Sequence, residues 1–207
     1  MKRTAFLSVF LFFCLCGGYA IADVTYQSEF GFTITLPPGW TIMSRSDVKD
    51  KPDITRAALA VAEKNNTIKN LPLELYNKLK EKLTGGEMEY YYRVEAPAFN
   101  ISVYQDVGTI AQTKDDEQAA CDSLSEELGK LSSKPVNLFE CRFEEKGNAA
   151  ALYLVADAYR EDQKYVQYLV QKSPNKVLLF TGSCDRNEDF EKVKAEFDRI
   201  IKSLQIL

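Results

Sequence analysis

The chain has 207 residues, 45% hydrophobic and 27% charged, which is ordinary composition for one domain able to bury a full core without staples. Its formal charge of -4 argues against a phosphate-backbone partner, because such a partner needs a basic face; nucleic acid is not expected. With no histidine there is no Ser-His or Cys-His nucleophile pair, no imidazole general base and no His-containing zinc site.

Met1-Lys2-Arg3-Thr4, the apolar run Ala5 to Cys16, the Gly17-Gly18 break and Ala20-Ile21-Ala22 make the charged, apolar and small-residue regions of a secretory signal, with cleavage expected before Asp23. The apolar run falls short of the roughly 20 residues that a bilayer span needs. Phe13 and Leu15, directly before Cys14 and Cys16, are too bulky for a lipoprotein signal. Residues 1-22 are therefore expected to leave as a signal peptide, and 23-207 to form a single α/β domain, periplasmic or secreted. That domain is expected to be a soluble monomer with no stable membrane anchor. Cys121, Cys141 and Cys184 stay with it, an odd count in a compartment that permits disulfides.

Phe30, Phe32, Ile34 and Leu36 alternate with Gly31, Thr33 and Thr35, so the first core strand runs from Phe30 into Pro37-Pro38-Gly39. Trp40 and Ile42 alternate with Thr41 and Met43, which predicts a short second strand pairing back across the proline turn. Asp53 can cap a helix with Ala57, Ala58, Val61 and Ala62 inward, although a strand through Leu59 and Val61 fits nearly as well. Asn70 and Pro72 start a firmer helix with leucines at 71, 75, 79 and 83, ended by Gly85-Gly86. Met88 to Val94, with Tyr90, Tyr91 and Tyr92 in a row, reads as a strand, as does Phe99-Ile101-Val103. Asp115 and Gln118 have the spacing of a capping box for a helix whose inner face is Cys121, Leu124, Leu128 and Leu131.

After Pro135 come four apolar strands, about 136-145, 149-160, 164-172 and 176-183, joined by three-residue loops that connect only antiparallel neighbours. Leu152, Leu154 and Ala156 oppose Tyr153 and Val155, and Leu178 and Phe180 oppose Val177 and Leu179. A sheet apolar on both faces must be covered on both. A last helix from Asp185, with Glu188 as box partner and Phe190, Val193, Phe197, Ile200, Ile201 and Leu204 inward, supplies one cover. The fold class is thus α+β, an antiparallel sheet with helices on both faces.

Phe32 to Trp40 (Phe-x-Ile-x-Leu-Pro-Pro-Gly-Trp), Pro97 to Val103, the meander and the closing Ile200-Ile201-Lys202-Ser203-Leu204 together resemble the PsbP-like fold, shared by PsbP, Mog and bacterial DcrB-type envelope proteins. The resemblance implies an α/β/α sandwich used mainly as a non-catalytic accessory or binding module, and it transfers no active-site motif. The charged helical stretch between Asp47 and Leu83 is longer than that family leads one to expect.

Cys141 is expected to share a face with Phe139 and Phe143, and Cys121 lies on the leucine face of the helix before it. Counting about 1.5 Å per residue back along the helix and about 3.3 Å per residue along the strand brings the two sulfurs to similar height. A Cys121-Cys141 disulfide is geometrically reasonable; a pair involving Cys184, or three buried thiols, are the alternatives. Cys184 before a helix N-terminus has the setting of a reactive thiol, yet no histidine assists it. The three tyrosines read as strand residues before a stacking platform, and Asp115-Asp116-Glu117 and Glu144-Glu145 lack the ligand spacing of a calcium loop. Asn65 and Asn100 begin glycosylation sequons, meaningful only in a eukaryotic secretory route.

No catalytic residue, metal site or cofactor is assigned, and the chain is not expected to be an enzyme. It is expected to act by protein-protein contacts as an accessory or binding protein of the cell envelope, its partner another envelope protein. A small-ligand or lipid carrier and a histidine-independent carboxylate hydrolase are the alternatives.

Overall fold

The computed structural model describes residues 23-50, 73-93, 95, 99-110, 113-132, 134-158, 163-183 and 190-207. In chain order these form β1 (Val24–Ser28), β2 (Phe32–Leu36), β3 (Trp40–Met43), α1 (Arg45–Asp50), α2 (Leu73–Thr84), β4 (Met88–Arg93) and β5 (Asn100–Val107). There follow α3 (Lys114–Ser132), β6 (Leu138–Lys146), β7 (Ala149–Asp157), β8 (Lys164–Ser173), β9 (Lys176–Ser183), α4 (Phe190–Lys202) and β10 (Gln205–Ile206). Residues 1-22, the 51-72 stretch with its Asp53, Asn70 and Pro72 expectations, Pro97, and the Cys184, Asp185 and Glu188 positions lie outside the described residues.

Seven strands form one sheet in the order β3-β4-β5-β9-β8-β7-β6, each neighbouring pair antiparallel. The β6 to β9 run is the expected meander. Its two faces divide as the alternation requires. Ala151, Tyr153 and Val155 join Val166, Tyr168, Leu178 and Phe180 in a core closed by Val193, Phe197, Ile200 and Ile201 of α4. On the other face, Leu152, Val177 and Leu179 meet Cys121 of α3, while Leu154 and Ala156 meet Leu124 and Leu128 of the same helix. Burial of a Leu- or Phe-sized side chain is worth about 1.5–3 kcal/mol, so neither face is stable bare.

Part of the cover on the α4 face is not helical. A separate three-stranded sheet, β1-β2-β10, lies beside α4 and presents Phe32, Ile34 and Leu36, all buried, to the same core. Here the expected hairpin across Pro37-Pro38-Gly39 is corrected. β2 pairs with β1 and β10, whereas β3 pairs with β4 in the large sheet. The proline turn, with Gly39 at φ 85°, carries the chain from one layer to the other instead of folding it back. Phe30 is buried as expected, but in the β1–β2 turn and not in a strand.

Two further expectations shift. α3 is capped by Thr113 and not by Asp115: its Oγ1 accepts from the Asp116 amide at 3.2 Å and its carbonyl accepts from the Glu117 amide at 2.9 Å. Gln118 instead donates to Asp122 at 2.8 Å. In β6 the register slips between Leu138 and Glu140, so Phe139 is an extra, bulged residue thrown outward at 47% exposure, off the face of Cys141 and Phe143. The end of α2 is as read. Gly86 takes φ 65°, its amide donates to Leu83 at 3.2 Å, and the Glu87 amide donates to Lys82 at 2.8 Å, the paired bonds of a glycine-terminated helix.

Candidate functional site

One carboxylate among the described residues is fully buried, and every contact it makes is internal. Glu89 and Tyr91 stand on the face of β4 that meets the small sheet. The Glu89 carboxylate accepts from Tyr91 Oη at 2.6 Å, Ser28 Oγ at 2.8 Å, Tyr26 Oη at 3.1 Å and the Glu29 amide at 3.2 Å. Four donors saturate the two oxygens, and they come from β1, its turn and β4, so Glu89 ties the layers together. Burial, then the Glu89 charge, pushes the Tyr26 and Tyr91 hydroxyls well above the usual tyrosine range.

The richest polar cluster lies under α4 on the β6–β8 side. Tyr168 donates to Asp198 at 2.9 Å, and Lys194 sits 3.5 Å from Asp198 and 3.7 Å from Glu140. The Arg142 guanidinium stacks 3.7 Å from the Tyr153 ring centroid while pairing with Glu140 at 2.7 Å. Glu144 is shared between Arg142 at 3.7 Å and Lys146 at 3.3 Å. Burial raises both tyrosines, with Asp198 adding to the effect at Tyr168 and Lys194 working against it at Tyr153. For Lys194, burial opposes the charge but Tyr153, Asp198 and Glu140 outweigh it, so its affinity for the proton rises. A catalytic base needs a group brought toward neutrality; Tyr153, Tyr168 and Lys194 move away from it.

Cys121 and Cys141 come together where α3 crosses β6, joined in the structure by a disulfide with Cα atoms 5.8 Å apart. Cys184 lies outside the described residues. Of the tyrosine run, Tyr91 faces the core, while Tyr90 and Tyr92 share the opposite face with ring centroids 5.9 Å apart. Burial, with Tyr92 beside it, raises the Tyr90 hydroxyl as well. Asp115, Asp116 and Glu117 occupy the first turn of α3. No group of three or more potential metal-ligating side chains occurs among the described residues. Asn100 is buried and accepts from Ser183 Oγ at 3.0 Å, so in the folded chain that sequon is not open to a glycan.

A concavity of about 670 Å³ lies between the C-terminal half of α3 and the segment leading to β6, where Asp122, Glu126, Lys130 and Lys134 line it together with Pro135 and Val136. No helix among the described residues is long and apolar enough to cross a membrane.

An antiparallel sheet covered by helices on both faces, with a small sheet completing one cover, is the PsbP-like sandwich. Among solved structures the chain is similar to cyanobacterial PsbP (CyanoP) from Synechocystis sp. PCC 6803, at TM-score 0.53 and 13% identity, over 93% of this chain and 97% of that one. It is also similar to the Ran-binding protein Mog1p of Saccharomyces cerevisiae, at TM-score 0.44 and 11% identity, over 89% of this chain and 95% of that one. No protein-family model matches the sequence, and no curated protein does.

Proposed function

We propose that this chain is an exported, non-catalytic accessory protein of the cell envelope, a monomer by itself, that works by contact with another protein. The observation that carries this reading is how the buried ionisable groups are spent. Glu89 is saturated by four internal donors, and beneath α4 the ion pairs of Arg142, Glu140, Lys194 and Asp198 gather around Tyr153 and Tyr168, although Tyr153 Oη is buried without a hydrogen-bond partner among the described residues. Their tyrosines are shifted away from neutrality. Such interiors hold a shape and leave the work to the surface. The N-terminal charged, apolar and small-residue pattern supports export.

The test is size-exclusion chromatography of the endogenous protein, extracted gently from its native envelope, beside the recombinant chain alone. The endogenous protein is expected to elute in a larger complex and the recombinant chain as a monomer. Elution of both as the same free monomer contradicts the reading.

A further inference from the structure

The β1–β2 turn at Phe30-Gly31 is a meeting point for cations drawn from three elements. The Arg45 guanidinium lies 4.8 Å from the Phe30 ring centroid, and its Nε donates to the Gly86 carbonyl at 2.6 Å. Lys172, at the end of β8, reaches the backbone of Gly31 so closely that a β-carbon there would sit 3.5 Å from its Nζ, and it donates to Gln105 Oε1 at 3.1 Å. Lys176 opens β9 on the same sheet face, exposed, and is paired in register with Val107. Val107 is 82% exposed, the most open of the large apolar side chains described.

None of the three cations is in an ion pair among the described residues, whereas Arg93, Arg142, Lys146, Lys194 and Arg199 each have a carboxylate partner. Carboxylates near in sequence are committed elsewhere: Glu29 to the Ser46 amide at 3.0 Å, Asp47 to Ser44 Oγ at 2.7 Å, Asp106 to the Val107 amide at 2.8 Å. Burial, then the Lys176 and Arg45 charges, lowers the Lys172 pKa from its ordinary value. Clustered like charges with no counterion oppose folding, and sites that break local rules in this way are where function is placed.

We propose that the surface made by Arg45, Lys172, Lys176 and the apolar Val107 beside them docks an acidic segment of a partner protein that carries aliphatic side chains among its carboxylates. This rests on the functional reading above and says where the contact falls. Arg45 is pre-oriented by its ring and its carbonyl, leaving terminal nitrogens for a carboxylate, while the lysines supply point charges. An anionic bilayer fits less well: lipid-binding clusters use about 4–8 basic residues, and the chain as a whole is negative at -4.

The full chain, isotope-labelled, is titrated with a short peptide alternating Glu and Leu, with Lys-Leu and Gln-Leu peptides, and with phosphatidylglycerol–phosphatidylcholine vesicles. Expected are amide shifts at Gly31, Arg45, Val107, Lys172 and Lys176 from the Glu-Leu peptide alone, with affinity at least about ten-fold weaker in K172E/K176E. Relieved charge crowding leaves K172Q/K176Q melting no lower than the parent, which separates lost binding from lost folding; if K172E/K176E does not fold, the Gln pair carries the comparison. Equal binding by the variants, shifts confined to another surface, or binding of vesicles but not peptide overturns the proposal. In the chromatography above, an endogenous complex that persists with K172E/K176E removes this surface and keeps the functional reading. A wild-type chain that elutes alone removes the functional reading itself.

Discussion

Tyr91 donates its hydroxyl to the Glu89 carboxylate at 2.6 Å, two residues back on the same face of β4, and both side chains are closed to solvent. Ser28 and Tyr26 of β1 donate to the same carboxylate, and these bonds tie the small sheet to the large one. Glu89→Ala strands three hydroxyls and an amide around a void. The expected loss is about 3–5 kcal/mol by urea denaturation, because breaking a buried charged network costs that much. A loss within experimental error would mean that the layers are held by apolar contact alone.

Alkali should unfold the protein by a route set by its tyrosines. Tyr26, Tyr91 and Tyr168 have folded pKa values raised above their unfolded ones. Below about pH 10, the ordinary tyrosine value, both states keep these protons and the stabilisation is fully present. Above it the unfolded chain releases protons that the folded chain cannot, so stability falls as pH rises. The urea midpoint should drop through the alkaline range, with the tyrosinate absorbance of these residues appearing only on unfolding. A flat midpoint, or their ionisation in the folded state, would contradict the burial described.

The β6–β7 turn grips the last strand. A β-carbon on Gly147, which has φ 60°, would run into the Leu204 carbonyl, while Asn148 both accepts from the Ile206 amide at 2.9 Å and donates to its carbonyl at 3.0 Å. Gly147→Ala should cost about 2–3 kcal/mol, left-handed backbone strain plus displacement of β10. Asn148→Ala should cost about 1–2 kcal/mol from two lost hydrogen bonds. Hydrogen exchange at Ile206 should speed up in both variants; unchanged exchange would show that β10 is held by β2 alone.

Cys121 and Cys141 stand 20 residues apart in sequence. Closing a loop of that size is worth about 3 kcal/mol, so C121S/C141S should lose about that much. In alkylated, unreduced 23-207 protein, intact mass should show one modified thiol, rising to three after reduction. Three modified thiols before reduction would rule the bond out.

The large sheet was readable because its residues obey the simplest rule available, alternation at period two with apolar residues on both sides. Tyr153 and Leu154 could not both be inside unless something covered each face, and α3 and α4 do. The small sheet was not readable. β1 is Val-Thr-Tyr-Gln-Ser, three of its five residues exposed, and its buried Ser28 makes sense only once Glu89, 61 residues away, is beside it. β10 has two residues, too few for any period. The proline turn after Leu36 marks a break in the chain but not its direction, which misplaced β3. Phe139 looked like a core residue because alternation counts through a bulge without seeing it. The cation cluster around Gly31 gathers residues 45, 172 and 176 from distant stretches, and no local pattern announces it.

The most direct measurement of the central claim is crosslinking in living cells of the source organism, followed by capture of this chain under denaturing conditions and quantitative mass spectrometry. One protein is expected to be recovered crosslinked to the chain at close to equal amounts, and to be lost when the cells are crosslinked after a high-salt wash of the envelope. Recovery of the chain with no enriched protein, or with a small molecule seated in its interior, would contradict a role carried out by surface contact.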